Sequence, residues 1–173
     1  MGFMSKVAEL LKQSDEDIII KEIEVAIQYI LTKIPGRIMD KRNMLADIAE
    51  SKLDIFESET NYYSRFDEKT QKEEEKAKRP RKALQIIRNK EATAEQLEAA
   101  AAGAADEYWD LQLHWSALFV SSTAYWAAAV ESKNKEDIAY WSKWKNIDAF
   151  VSGDSDYDYK ELKQIILKYF GND

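Results

Sequence analysis

His114 is the only histidine in the chain, so imidazole acid–base chemistry would have to be built around it. Asp110 lies four residues before it and Glu107 seven, which places all three on one face of a helix. Such a set could orient a general base or form half of a metal site. Di-iron bundles, however, use a Glu-x-x-His step on two helices. Here Leu111 stands three before His114, and there is no second histidine. The residues favour an imidazole bonded to Asp110 for structural reasons. A pocket around His114, in a small helical enzyme or ligand-binding bundle, is the alternative. No nucleophile-elbow sequence is present, and the five glycines are scattered rather than gathered into a phosphate loop. Cysteine is absent, which removes thiolate nucleophiles and thiolate metal sites. The expectation is a protein with no catalytic residues, no metal and no cofactor.

Three other groups of residues could act on a partner. Asp154-Ser155-Asp156-Tyr157-Asp158 begins like a calcium loop, but Tyr159 replaces the required glycine and Ile165 the bidentate glutamate. Asp154, Asp156 and Asp158 read instead as an acidic helix start that could touch a protein. Lys76, Lys78, Arg79, Arg81, Lys82, Arg88 and Lys90 form a basic cluster. It could meet phosphates, a second alternative, but no aromatics are interleaved with it and Glu73–Glu75 adjoin it. Internal salt bridges and bonds to helix-end carbonyls are the expected use of Arg79 and Arg81, with Pro80 between them in a structural turn. The adjacent pairs Tyr108/Trp109, Tyr125/Trp126 and Tyr140/Trp141 are the third group. Neighbours on a helix point about 100° apart, so both members of a pair rarely bury. Exposed Tyr and Trp are common interface anchors.

The elements that must hold these residues are helical. Few Gly and Pro leave little turn chemistry for a β fold. Ser5 can cap a short first helix. Ser14 with Asp15, Glu16 and Asp17 opens a second, with Ile23, Ile27, Ile30 and Ile34 as its apolar stripe and Pro35-Gly36 as its stop. Asp40 can cap a third, burying Met44, Leu45, Ile48, Ile55 and Phe56. Whether the charged stretch 60–78 is helix or linker is left open by its composition. Pro80 fits a first helical turn. Thr93-Ala94-Glu95-Gln96 is a capping box. An uninterrupted helix from Glu95 to Ser132 would be roughly 57 Å long at 1.5 Å per residue, too long for this globule, so a break is expected near Ser121-Ser122-Thr123 or at Gly103. Asn134 caps a helix to Val151, and Gly171 ends the last. The reading is an all-α, single-domain bundle over 1–173, of about six or seven helices, with an alanine-rich centre studded with aromatics.

Charge is distributed unevenly. Residues 60–90 carry a net +5 between two acidic parts, and the whole chain carries −7. That balance disfavours nucleic acid as a partner and suits a basic protein. No stretch is long and apolar enough for a membrane span, and the acidic residues 15–17 come too early for a signal peptide, so a cytoplasmic protein without a membrane partner is expected. Self-association is a further option.

The segment Lys78-Arg79-Pro80-Arg81-Lys82-Ala83-Leu84, the short helix after it, the Thr93–Gln96 cap and the Ala99–Ala105 run resemble alanine-rich immunity proteins of bacterial toxin systems, the immunity-protein-five-like group, and similar small proteins carried by phages. The resemblance covers about residues 76–131. It departs at Gln85, where an acidic residue is usual, and does not extend to the N-terminal 60 residues. It implies a helical binding protein that inhibits a toxin or, if phage-borne, a host defence protein. It transfers no active residues.

Overall fold

The computed structural model describes residues 2–12, 16–63, 78–105, 114–143 and 159–171. Among them the chain forms eight helices and no strand: α1 (Phe3–Leu10), α2 (Glu16–Lys33), α3 (Ile38–Tyr63), α4 (Lys78–Arg88), α5 (Ala94–Ala105), α6 (His114–Glu131), α7 (Lys135–Trp141) and α8 (Tyr159–Phe170). The fold is all-α, with more helices than the six or seven expected. The stops are chemical. After α2 the chain passes Pro35 to Gly36 at φ +63° and Arg37 at φ +51°. Arg37 is held in that left-handed conformation from three sides: its Nε donates to Asp40 at 2.9 Å, its Nη2 donates to the Tyr169 carbonyl at 2.6 Å, and its guanidinium lies 4.4 Å over the Phe170 ring.

The capping box before α5 is formed in both directions. The Gln96 amide donates to Thr93 Oγ1 at 3.1 Å, and the Thr93 amide to Gln96 Oε1 at 2.9 Å. The break anticipated in the alanine-rich region falls at neither proposed place. Gly103 lies inside α5, and Ser121–Thr123 lie inside α6. Their hydroxyls are absorbed rather than disruptive: Thr123 donates to the Phe119 carbonyl four residues back, and Ser121 crosses to the Ala101 carbonyl of α5 at 2.9 Å. That crossing bond, and the packing of α5 along α6, show two helices side by side instead of one rod. Alanines 101, 104, 124, 127 and 128 are buried between the helices of this half of the molecule and let their backbones come close.

One continuous core joins α1 to α6 with α8, through Val7, Ile23, Ile27, Met44, Ile48, Leu53, Ile87, Leu97, Phe119, Trp126, Ile166 and Phe170. α3 lies between the two halves, touching α8 on one side and α4 and α6 on the other. α7 contributes no fully buried residue and packs chiefly onto α6, with Trp141 reaching the edge of the core. Gly171 closes α8: its amide donates to the Leu167 carbonyl, and a β-carbon at that position would collide with the same oxygen. No helix among the described residues is long and apolar enough to cross a membrane.

Candidate interaction surface

The α6–α7 corner is built by an unusual turn. The Lys133 amide bonds the Val130 carbonyl and the Asn134 amide bonds the Ala129 carbonyl, the paired pattern that ends a helix through a left-handed residue. That residue is Lys133, at φ +56°, where glycine is usual. Asn134 then caps α7, its Oδ1 accepting from the Asp137 amide at 3.1 Å. This double cap folds α7 back against α6 and brings together side chains sixteen residues apart. Tyr125 of α6 stacks on Trp141 of α7, with ring centres 4.7 Å apart and planes 12° from parallel. Tyr140 meets Trp141 edge-on at 4.8 Å and 88°. Lys143 Nζ stands 5.6 Å over the Tyr140 ring.

The result is a three-ring ladder at the surface. Tyr140 is 43% exposed, while Tyr125 and Trp141 are half-buried. Glu136 and Asp137 precede Tyr140 and Trp141 by four residues each, so they share helical faces with the rings, and both are exposed. Trp126, expected on this surface with Tyr125, is instead in the core at 2% exposure. Its position, 100° round the helix from Tyr125, turns it inward. Trp126 Nε1 and Ser122 Oγ make no hydrogen bond among the described residues. Both line a void of about 10 Å³ that also has Trp141 in its wall. The rings on the surface thus cover an imperfectly satisfied interior.

Several expected site residues lie outside the described residues: Glu107, Tyr108, Trp109, Asp110, Asp154, Asp156 and Asp158. His114 begins α6, but its side chain is also outside them. A second exposed apolar patch escaped the sequence reading. Phe3 of α1 and Val25 of α2 are both more than 40% exposed, and Phe3 lies 6.4 Å from the Tyr29 ring. The available signal was the spacing of Val25 and Tyr29, four apart and off the isoleucine stripe.

No family model, curated protein or solved structure matches this chain. The chemistry of its surfaces must therefore be read from its own residues.

The basic cluster divides in two. Arg79, Pro80 and Arg81 sit in the first turn of α4, with Pro80 buried. Arg81 faces Glu50 of α3 at 3.7 Å, and Arg88 bonds both Asp47 (2.7 Å) and Glu50. Burial alone would lower the Arg88 pKa, but its bonds to the two carboxylates outweigh this and raise it. Tyr169 of α8 donates to the other Asp47 oxygen at 2.7 Å. Burial, then the bond to the Asp47 carboxylate, pushes the Tyr169 phenol up to about 12. Lys78, Lys82 and Lys90 remain exposed.

Two cations that the sequence reading passed over hold the middle of the molecule. Arg42 of α3 is fully buried. Its Nε donates to the Ile87 carbonyl at 2.8 Å and its Nη2 to the Asn89 carbonyl at 3.0 Å, so one guanidinium binds the carbonyl end of α4. Glu131 at the end of α6 lies 3.5 Å from its Nη1. Burial lowers the Arg42 pKa and Glu131 opposes the shift. Lys41 beside it is buried too, donating from Nζ to the Ile34 carbonyl just past α2. Burial, helped by the nearby Arg37 charge, lowers the Lys41 pKa. Consecutive residues of one helix therefore tie down the carbonyl ends of two others.

Proposed function

We propose that this chain is a non-catalytic helical binding protein that acts by occupying a protein target, through the aromatic ladder of Tyr125, Tyr140 and Trp141 at the α6–α7 corner. The observation that carries the reading is a ladder of three rings at the surface, Tyr125 stacked on Trp141 and Trp141 meeting Tyr140 edge-on, with Tyr140 43% exposed on a helix that has no fully buried residue. Rigid amphipathic aromatics give large contact area at little entropic cost, and they are enriched where partners bind. The charged groups beside them, Glu136, Asp137 and Lys143, supply a polar rim. The chain's net charge of −7 favours a basic target. Together with the resemblance of residues 76–131 to immunity proteins, this supports an inhibitor of a toxin or, for a phage-borne gene, of a host defence protein.

The basic cluster gives less support to nucleic-acid binding, because Arg81 and Arg88 are committed to Glu50 and Asp47. Affinity capture from the native host with the full chain tests the reading. Wild type should retain a defined protein at a fixed stoichiometry. A Tyr140→Ala/Trp141→Ala variant should lose that protein while keeping its helix content. Equal retention by the variant would move the site elsewhere, and turnover of any substrate by the wild type would end the non-catalytic reading.

A further inference from the structure

A trough of about 390 Å³ runs between α4 and α5, on a different surface from the aromatic ladder. Ala83, Ile86, Ala99, Ala100 and Gly103 are its apolar and small lining residues, and Arg79 and Lys82 bring positive charge to it. Gly103 is among them. A β-carbon there would meet nothing within 4 Å. Alanine would fit and is the better helix former. In a helix otherwise rich in alanine, the residue without a methyl group is one that lines the trough.

The two helices forming the trough differ in charge. Residues 78–88 contain no acidic side chain, and Lys78, Arg79 and Lys82 are exposed. Residues 94–105 contain no basic side chain, and Glu95 and Glu98 are exposed. Glu95, Glu98, Ala99 and Ala102 form an exposed ridge of α5, at spacings that place them along one stripe, with Ala99 where the ridge borders the trough. A narrow, small-residue trough with a cationic rim calls for a helix whose contacting ridge is small and carries carboxylates. α5 itself presents such a ridge.

We propose that the trough seats a second copy of this chain, each copy's α5 lying antiparallel in the other's α4–α5 trough about a two-fold axis. In such an interface the same patch must complement itself, and here it carries both charge signs and both shapes. The two packed helices are joined by the short connection 89–93, and counting back from it along both places Arg79 about level with Gly103 and Lys82 with Ala100; all four line the trough. With the axis at the level of Ala100, Glu98 of the second copy falls between Lys82 and Arg79. A contact confined to two helices per copy is small, so the dimer is reversible and concentration-dependent.

Sedimentation velocity of the full chain, from low micromolar to near-millimolar concentration, tests this. Wild type should shift from one chain to two as concentration rises. Gly103→Trp, which fills the trough, should remain one chain throughout with unchanged helix content. Lys82→Glu and Glu98→Lys, both at exposed positions that leave the core intact, should each weaken dimerisation at least about tenfold. The Lys82→Glu/Glu98→Lys double variant should recover most of it, because the pair is restored with its signs exchanged. A wild type that stays one chain at every concentration overturns the proposal, whatever foreign helix or small molecule the trough then accepts. So does a dimer that survives Gly103→Trp, or a double variant no better than the single ones.

Discussion

The seam between α3 and α4 and the corner between α6 and α7 solve opposite problems, one with charged side chains and the other with aromatic rings. At the seam, charge is buried and paired: Arg42 on the α4 carbonyls, Arg88 on Asp47 and Glu50, Tyr169 on Asp47; Arg42 Nη1 makes no hydrogen bond there but faces the Glu131 carboxylate at 3.5 Å. At the corner, large rings are left at the surface and two polar atoms beneath them, Trp126 Nε1 and Ser122 Oγ, have no hydrogen-bond partner among the described residues. Pairing at the seam fixes how helices meet. Incomplete burial at the corner leaves contact energy unspent, which is the property expected of a surface that has a partner. If this contrast is right, seam substitutions should act on stability, and corner substitutions on binding.

Arg42 offers the largest effect. Arg42→Met fills the space but strands the Ile87 and Asn89 carbonyls and leaves Glu131 facing an apolar side chain. Breaking a buried, hydrogen-bonded charge typically costs about 3–5 kcal/mol, a large part of the 5–15 kcal/mol by which domains are generally stable. Urea denaturation followed by circular dichroism should show a midpoint lowered accordingly, or no folded baseline. Arg42→Lys should recover little of it, because an ammonium cannot fork between the two carbonyls and Glu131. A variant with near-native stability would show that the seam is not what orders these helices.

A smaller effect is expected at Tyr169. The fold raises its pKa from 10.0 to about 12, so the protonated phenol is the form the folded state prefers. The stability this provides is whole below pH 10 and is lost as pH climbs through about 12. Lys41 acts in the other direction, since its lowered pKa means that the fold gains as the ammonium deprotonates. The Tyr169 contribution must therefore be read as the difference between wild type and Tyr169→Phe. That difference should be roughly 1 kcal/mol at pH 8–9, the usual worth of one hydrogen bond, and should shrink towards zero above pH 11. A constant difference across this range would mean that the bond to Asp47 carries none of it.

Much of the helix pattern was legible because it is written in local chemistry. Thr93 and Gln96, Pro35-Gly36, Asn134 and Gly171 each act within four or five residues, and the isoleucine stripe of α2 needs only helical periodicity. Arg42 was not legible in that way. A cation beside Asp40 reads as solvated until its register is noticed: Arg42, Ala46, Ala49 and Leu53 share one stripe, and the small alanines make room for the guanidinium. The break expected at Ser121–Thr123 failed because hydroxyls can bond back into their own helix or across to a neighbour, and which they do depends on tertiary packing. That both members of an adjacent aromatic pair rarely bury follows from helical geometry alone. Which member of each pair turns inward, Trp126 rather than Tyr125, depends on where α5 and α7 lie. The Tyr125–Trp141 stack depends likewise on a turn whose key residue, Lys133, carries no turn signature.

That residue gives the smallest effect and the sharpest check on the corner. Lys133 occupies a left-handed conformation that costs a residue with a β-carbon roughly 1–2 kcal/mol. Glycine adopts it freely but loses more freedom on folding. Lys133→Gly should therefore raise stability modestly, by about 0.5 kcal/mol net. Because the Ala129 and Val130 carbonyls and the Asn134 cap are unchanged by the substitution, α7 should keep its angle to α6 and the Tyr125–Trp141 stack should persist. Capture of a target should then be unaffected while the urea midpoint rises slightly. If stability rises but capture falls, the strained lysine itself contacts the partner, and the binding surface extends from the rings across the turn. If stability falls, the Lys133 side chain contributes to the corner more than its strain costs, and the contrast with the seam is weaker than the burial pattern suggests.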